Sequence, residues 1–335
     1  CVMPESNHNN AMQIADRMRQ HIRETHIESA SSTLNVTASV GVASYPDDGE
    51  NIDKLIASAD AALYQAKRTG RNRVISANAV EQGIYTIGNE LDSALREDRI
   101  VPAYQTIIDL KTGVKVGEET LARLITPNGQ MILADQFIEA AHQLQLLHKV
   151  DRNIILQSFS HCIASLQSGN NHINHFINIS ANLLHHRELV DEMLSIAKAH
   201  CQACDELSDN DKPMVIEITE RELLTDINAA IELLTPFLDF GFKLALDDFG
   251  SGYSSYKYLA DLPVNFIKID GNLIQRVNEP KVHAIIQGIQ DTASQLEMTT
   301  LAEYIEDEET ASILKDIGID WGQGYFYGKP EVHYH

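Results

Sequence analysis

Residues 242–270, FKLALDDFGSGYSSYKYLADLPVNFIKID, contain the pattern that decides the fold. The run 242–248 is mostly apolar and ends in two adjacent aspartates. The run 265–269 has the same character and ends beside Lys268 and Asp270. Short apolar runs that end in polar residues are typical of strands buried in a parallel sheet. The sequence therefore predicts two neighbouring strands whose ends carry charged side chains.

Six further runs of this kind flank the quoted stretch, at 101–108, 114–121, 174–180, 213–219, 298–303 and 318–325. Helical stretches separate most of them, at 132–145, 148–167, 182–202, 225–238, 273–296 and 308–316. Strands that alternate with helices indicate a parallel sheet, and eight such units predict an α/β (β/α)8 TIM-like barrel over 98–335. An open doubly wound sheet is the alternative. It would more often carry a Gly-rich phosphate turn after its first strand, which this sequence lacks.

The first 78 residues form a separate segment with both periodicities. The pattern predicts a helix over 11–26, a strand over 33–45 and a helix over 52–68. A helix over 79–97 then connects this segment to the barrel. Because the chain begins at Cys1 and soon enters a helical pattern, we expect it to be part of a longer protein with upstream sensor domains.

The charge is strongly acidic. The 335 residues include 48 acidic and 26 basic side chains, for a formal net charge of −22. Such a charge argues against binding to polymeric nucleic acid or to an anionic membrane. Most of the excess follows residue 100, where solubility alone is the simplest explanation.

The absence of targeting signals and the small number of cysteines predict a cytoplasmic location, either as a cytoplasmic protein or as the cytoplasmic part of a larger, membrane-anchored one. No apolar run approaches the ~20 residues that span a bilayer, and no signal-peptide pattern is present. Four cysteines are too few for a disulfide scaffold. Cys201 and Cys204 form a C-x-x-C motif, but a structural zinc site would usually need a second pair.

Polar side chains collect where the predicted strands end. They are Glu119, Asn178, Ser180, Glu217, Glu220, Asp247, Asp248, Lys268, Asp270, Glu303, Glu306 and Gln323, with Gln105 inside the first strand. A single acidic residue in this position is commonly the N-cap of the next helix. Eight converging carboxylates would instead raise each other's pKa values, and divalent cations would relieve that repulsion.

The chemistry of this set favours a hard cation. Carboxylate and amide oxygens suit Mg²⁺, Mn²⁺ or Ca²⁺ rather than zinc. The adjacent pair Asp247 and Asp248 suggests two metals about 4 Å apart that share a carboxylate, as in phosphoryl displacement. Lys268 would position water or stabilise the transition state. The residues therefore favour metal-dependent hydrolysis of a phosphate ester. The Gly-rich stretch 248–255 is either a plain turn or a gating loop.

Residues 98–330 resemble the EAL domain, the bacterial phosphodiesterase that hydrolyses cyclic di-GMP. The matching motifs, in chain order, are Tyr104-Gln105, Glu119-Thr120-Leu121 with Arg123, Asn178-Ile179-Ser180, Glu217-Ile218-Thr219-Glu220, Asp247-Asp248-Phe249-Gly250, Lys268-Ile269-Asp270, Ala302-Glu303 through Glu306, and Gln323-Gly324-Tyr325. Each motif alone is weak, but all of them in this order are specific.

The resemblance implies a role for each matched residue. Glu119, Asn178, Glu217 and Asp247 would hold one metal, and Asp247, Asp248 and Glu303 a second, with Mg²⁺ or Mn²⁺ as the ions. Lys268 would hold or activate the attacking water, with Glu119, Asp270 and Glu220 also in the catalytic group. Gln105, Arg123, Glu306 and Gln323 would contact substrate. Glu220 would anchor the loop at Gly250, Ser251 and Gly252, which would couple dimerisation through the barrel to activity. The expected product is linear pGpG, and one barrel strand is expected to be antiparallel.

The sequence departs from the family pattern at a few positions. Thr120 replaces the middle alanine of the signature, Leu124 stands where tryptophan is frequent, and Tyr304 replaces a glycine beside Glu303. The alternative function is therefore a receptor that binds cyclic di-GMP without cleaving it, and a purely structural dimerisation platform is a third reading. Such receptors usually lack metal ligands, whereas every ligand position is kept here.

The first 78 residues resemble the second half of a GGDEF domain, the cyclic di-GMP synthase fold. The matching residues are Ser39-Val40-Gly41, Ala59 through Tyr64, Lys67 and Gly70-Arg71-Asn72. The GGDEF signature itself is absent from the sequence. We therefore expect no cyclase activity from this chain, and Lys67 and Arg71 are expected to be surface cations.

Overall fold

The computed structural model describes residues 1–29, 32–68, 71–169, 173–200, 212–219, 227–251, 259 and 262–332. The chain divides into two compact units, Cys1–Glu90 and Leu91–His335. The division falls within a helix, Ala77–Arg96.

The first unit contains two short sheets. Its elements are the helix His8–Glu24, β1 (His26–Ser29), β2 (Ser32–Asn35), β3 (Val40–Val42), the helix Ile52–Arg68 and β4 (Val74–Ser76). β1 pairs antiparallel with β2, whereas β3 pairs parallel with β4. The prediction of one strand over 33–45 is therefore wrong, because β2 and β3 belong to different sheets. Lys67 and Arg71 are both exposed, as expected for surface cations.

The second unit is a closed barrel. Its strands are β5 (Ile100–Asp109), β6 (Lys115–Ile125), β7 (Met131–Leu133), β8 (Asn174–Asn178), β9 (Met214–Thr219), β10 (Lys243–Phe249), β11 (Phe266–Ile269), β12 (Thr299–Ala302), β13 (Trp321–Gln323) and β14 (Glu331–Val332). Eight of them close in the order β5-β13-β12-β11-β10-β9-β8-β6 and back to β5. β5 is antiparallel to both of its neighbours, and the other contacts of the ring are parallel. The predicted barrel with one antiparallel strand is confirmed.

Helices cover the outside of the barrel. They are Ala134–Gln143, Leu147–Gln167, Ala181–Leu184, Arg187–His200, Ile227–Asp239, Gly271–Ile274, Pro280–Gln295 and Glu308–Ile317. Two predicted helices, 182–202 and 273–296, are each divided in two. Pro280 explains the second division, since it stands in the first turn of its helix, where a missing N–H costs nothing.

The barrel interior is filled by a layer of large side chains. Ile107, Phe176, Val215, Ala245, Phe266 and Leu301 pack together, one from each of six strands, and all are at most 5% exposed. Such a layer closes the barrel as a packed core rather than a pore.

Candidate metal-dependent active site

The polar layer of the site follows directly from the apolar layer below it. Side chains two residues apart in a strand point to the same face. Two residues beyond Phe176, Val215, Ala245, Phe266 and Leu301 stand Asn178, Glu217, Asp247, Lys268 and Glu303, in that order. The fold therefore directs all five polar side chains into one mouth of the barrel.

Lys268 is the centre of this layer. Its Nζ lies 2.9 Å from Glu217 Oε1, 3.0 Å from Glu303 Oε1, 3.2 Å from Asp247 Oδ1 and 3.4 Å from Glu119 Oε1. The Lys268 and Glu217 side chains are fully buried. One ammonium group thus faces four carboxylates, and the centre has a large excess of negative charge.

Glu119 is held by amide groups on its two oxygens. Asn178 Nδ2 donates to Oε1 at 3.2 Å, and Gln323 Nε2 donates to Oε2 at 2.6 Å. Gln323 Nε2 also reaches Gln105 Oε1 at 2.9 Å, and Gln105 lies directly opposite Glu119 across the β5–β6 pair. The expectation that Glu119 closes its strand is wrong. β6 continues to Ile125 because it pairs there with both β5 and β7.

Asp247 and Asp248 occupy an irregularity in β10. The register between β10 and β11 shifts between Leu246 and Phe249, and Asp248 has a left-handed backbone with φ of 56°. A bulge of this kind re-aims side chains, so that successive residues no longer point to opposite faces. Asp247, Asp248 and Glu303 each place one carboxylate oxygen within 4.8 Å of the others. The bulge is what lets two consecutive aspartates serve one site.

Burial and mutual repulsion shift the protonation of the acidic groups. Burial raises the pKa of Glu217 well above its ordinary value, and the charges of Glu119 and Asp247 raise it further, although Lys268 opposes them. Burial likewise raises the pKa of Glu303 to about 8 and that of Asp248 to about 6.

Lys268 and Glu119 shift towards their charged forms. Burial acts to lower the pKa of Lys268, but the surrounding carboxylates outweigh it and raise that pKa well above its ordinary value. Burial acts to raise the pKa of Glu119, yet Lys268 and the amide donors bring it below its ordinary value. At neutral pH the centre therefore contains a permanent ammonium and at least one permanent carboxylate.

The donor set fits a divalent cation. Both carboxylate oxygens of Glu217 are buried and lack a well-directed hydrogen bond, although Lys268 lies at ion-pair distance. Uncompensated buried carboxylates are costly. Oxygen donors from carboxylates, with an amide beside them, are those that Mg²⁺ and Mn²⁺ prefer.

Two other predicted site residues, Asp270 and Ser180, cap short helices next to the mouth. The Asp270 carboxylate caps the helix Gly271–Ile274 by accepting from Asn272 N, and the Ser180 hydroxyl caps the helix Ala181–Leu184 by accepting from Leu183 N. Both fit the simpler interpretation of a polar residue at a strand end as an N-cap. The Asp270 side chain is 7% exposed and remains next to the mouth.

The predicted substrate-binding and loop residues differ in exposure. Arg123 is buried, its Nη1 donates to Ala122 O, and burial lowers its pKa. Glu306 and Ser251 are exposed, and Gly250 has a left-handed backbone with φ of 96°. Glu220 and Gly252 fall outside the described residues.

Tyr304, which replaces a family glycine, stands at the rim of the mouth. Its backbone is left-handed, with φ of 54°, and 60% of the residue is exposed. Partial burial and the charges of Glu303, Glu119 and Asp248 raise the pKa of Tyr304. Its ring lies against Gly271, where an added Cβ would be 2.3 Å from Tyr304 Cδ2. The ring thus forms part of the wall next to Glu303.

Comparison with known proteins agrees with this geometry. The model of the EAL domain family matches residues 88–330, which is most of the chain. The chain belongs to the EAL domain family. A second model, the diguanylate cyclase GGDEF domain, matches residues 1–73. EAL phosphodiesterases are metal-dependent, in keeping with the acidic groups gathered at this mouth.

Similar proteins share both parts of this EAL chain. It is 30% identical to the cyclic di-GMP phosphodiesterase PdeB of Shewanella oneidensis, over 96% of this chain and 38% of PdeB. It is 28% identical to the bifunctional diguanylate cyclase/cyclic di-GMP phosphodiesterase MucR of Pseudomonas aeruginosa, over 96% of this chain and 46% of MucR. The chain therefore spans less than half the length of these relatives.

A solved structure shows the same fold. The MucR phosphodiesterase in complex with cyclic di-GMP matches with a TM-score of 0.67 and 27% identity, over 73% of this chain and 97% of that one. In the described part of the EAL chain, no helix has the length and apolar character needed to cross a bilayer.

Sequence reasoning missed one buried polar cluster on the outside of the barrel wall, Glu118, His161 and His175. These residues are 43 and 57 positions apart in sequence. The sequence gives no local signal that would join them.

Proposed function

We propose that this chain hydrolyses cyclic di-GMP to linear pGpG, with Mg²⁺ or Mn²⁺ as the cation. The observation that carries the proposal is the centre at Lys268, where one ammonium group faces four carboxylates and both Glu217 oxygens lack a directed hydrogen bond. The names of PdeB and MucR and the MucR complex support the same activity and ligand.

The proposed metal ligands divide into two sets. Glu119, Asn178, Glu217 and Asp247 would hold one ion, and Asp247, Asp248 and Glu303 the other. When bound there, two such ions would supply positive charge for the attacking and leaving oxygens of a phosphodiester. Without bound cations, the acidic mouth would repel an anionic dinucleotide.

Lys268 would act as a hydrogen-bond donor and a fixed positive charge. The surrounding carboxylates raise the pKa of Lys268 and so favour its protonated form. Its role is to orient the attacking water and to stabilise negative charge that develops on the phosphate. Attack of the water oxygen would form one P–O bond while the opposite P–O bond to the sugar breaks, and the proton that the water loses would end on the released sugar oxygen.

Substrate contacts would come from the walls of the mouth. Gln323 Nε2 donates to Glu119 Oε2 and to Gln105 Oε1, so that both glutamines line the mouth beside Glu119, while Arg123 would contact the phosphate or guanine. Asp270 and Glu220 would support Lys268 and the loop, and Glu306 would reach substrate from the exposed rim.

We also propose the cellular setting that the sequence indicates. The chain would act in the cytoplasm and form a homodimer through the barrel, with the loop at Gly250, Ser251 and Gly252 linking dimerisation to activity. Upstream sensor domains would control it, and the GGDEF-like segment would make no cyclic di-GMP.

The test is incubation of the purified chain with cyclic di-GMP and either Mg²⁺ or Mn²⁺, followed by chromatographic separation of the nucleotides. A matched sample contains EDTA. Formation of pGpG only with the cation supports the proposal. Tight binding of cyclic di-GMP without product would favour the receptor function instead, for which Tyr304 beside Glu303 is the supporting feature.

A further inference from the structure

A second cluster of metal-ligating side chains lies on the outer face of the barrel wall. Glu118 precedes Glu119 in β6, so their side chains point to opposite faces of the strand. Glu118 therefore points away from the mouth, towards His161 of the helix Leu147–Gln167 and His175 of β8. None of the three is used by the proposed hydrolysis.

The three side chains meet at one oxygen. Glu118 Oε1 contacts His161 Nε2 and lies 3.0 Å from His175 Nδ1. The side chains of Glu118 and His175 are only 4% and 2% exposed, and that of His161 is 12% exposed. Two imidazole nitrogens and one carboxylate oxygen thus converge in a mostly buried place.

We propose that Glu118, His161 and His175 form a separate binding site for a zinc-like transition metal. Two imidazoles with one carboxylate and one open position are a common zinc set, whereas Mg²⁺ avoids imidazole. Tetrahedral zinc places its ligand atoms roughly 3.3 Å apart, given bonds of about 2.0–2.1 Å. Oxygen and nitrogen atoms of the cluster already lie within 4.8 Å of one another.

One ring nitrogen of His175, Nδ1, faces the cluster. Its Nε2 is buried and has no hydrogen-bond partner among the described residues. An unpaired buried nitrogen costs stability, commonly about 1–3 kcal/mol. Metal coordination through Nδ1, the nitrogen that faces Glu118 Oε1, would leave this cost at Nε2 in place.

Lys115 places a positive charge next to the proposed metal site. Its Nζ lies 2.7 Å from Glu118 Oε2, the oxygen that does not face the histidines, and its side chain is 38% exposed. Lys115 can therefore swing into solvent when a cation binds. While it stays in place, its positive charge repels a bound cation and lowers the metal affinity of the site. The Lys115→Met variant should therefore bind the metal more tightly than wild type.

The test measures Co²⁺ and Zn²⁺ binding to the whole chain in excess Mg²⁺, which fills the mouth of the barrel. A Cys201→Ser/Cys204→Ser background removes the C-x-x-C motif. Co²⁺ absorption in the visible range reports tetrahedral coordination, and metal analysis after gel filtration gives the stoichiometry. Wild type should bind one extra equivalent of Zn²⁺ with a tetrahedral Co²⁺ spectrum.

Variants assign the site. His161→Gln and His175→Gln should each lose the extra equivalent, and Lys115→Met should raise the affinity for it. The exposed His142→Gln and the mouth variant Glu119→Gln should keep it. If the His175 variant does not fold, judged by circular dichroism, the partly exposed His161 variant still decides. Equal Zn²⁺ content in wild type and His161→Gln, or loss of the extra equivalent in Glu119→Gln, would overturn the proposal whether or not the chain hydrolyses cyclic di-GMP.

Discussion

Lys268 Nζ lies 2.9 Å from Glu217 Oε1, and neither side chain has any exposed surface. A buried ion pair is costly to form, and its worth depends on complete compensation. Here the charges do not balance, because three more carboxylates approach the same ammonium group. The centre is therefore organised to receive additional positive charge.

Lys268→Met should destabilise the protein when no divalent cation is present. The change leaves four carboxylates without a counter-charge, and breaking a buried pair costs about 3–5 kcal/mol. Urea unfolding in EDTA measures this loss, and repeating it with Mn²⁺ should recover most of the stability. A variant that is equally unstable with and without Mn²⁺ would show that the carboxylates do not bind the ion.

Glu217→Gln should separate metal binding from folding. Glutamine has the same shape without the buried charge, so the unfolding midpoint in EDTA should stay the same or rise. Turnover should fall by more than roughly 100-fold, since even outer partners of metal ligands are worth 10–100-fold. Glu232→Gln, at an exposed helix position, is the matched control. Retained turnover in Glu217→Gln would remove Glu217 from the ligand set.

Metal affinity should increase between pH 6 and pH 8. The pKa of Asp248 is about 6 and that of Glu303 about 8, and both groups must lose a proton before they bind a cation. Both pKa values lie above the unfolded values of about 4, so the metal-free protein loses stability as pH rises through this range.

The measurement is the melting temperature with Mg²⁺ and with EDTA at pH 6, 7 and 8. Ligand binding stabilises the folded state by about 2.7 kcal/mol when the free ligand is 100 times its Kd. The difference between the two conditions should widen as the pH rises. A constant difference would mean that these carboxylates do not titrate in the metal-free site.

Gly271→Ala should reveal the contact with Tyr304. A Cβ at position 271 would meet three atoms of Tyr304 at 2.3, 2.8 and 3.1 Å. Overpacking of this kind costs about 1–3 kcal/mol. In a Tyr304→Gly background the same change should cost less, which a double-mutant cycle of unfolding free energies measures. Additive costs would contradict the contact.

Strand positions were the most predictable part of the barrel. Each of the eight predicted runs overlaps a strand of the closed ring, because apolar runs ending in polar residues indicate burial directly. β7 and β14 were not predicted. They are only three and two residues long and have no periodicity to detect. The run 33–45 was predicted as one strand but overlaps two, β2 and β3. Hydrophobicity alone does not show which sheet a strand joins.

The site was predictable in its residue types but less so in its geometry. Asn178, Glu217, Asp247, Lys268 and Glu303 converge because each stands two residues beyond a buried core side chain. Asp270 and Ser180 cap short helices. A polar residue at the end of a strand is equally compatible with a helix N-cap and with a site residue, so the sequence alone does not separate the two roles. The bulge at Asp247 and Asp248 depends on register with β11, and no local pattern encodes it.

The most direct measurement compares initial rates of pGpG formation from cyclic di-GMP by wild type and Glu119→Ala at the same Mn²⁺ concentration. Circular dichroism first establishes that the variant is folded. We expect steady formation of pGpG by the wild type, and none by the variant or in EDTA. Equal rates in wild type and Glu119→Ala, or binding of cyclic di-GMP by the wild type without any product, would contradict the proposed metal-dependent phosphodiesterase.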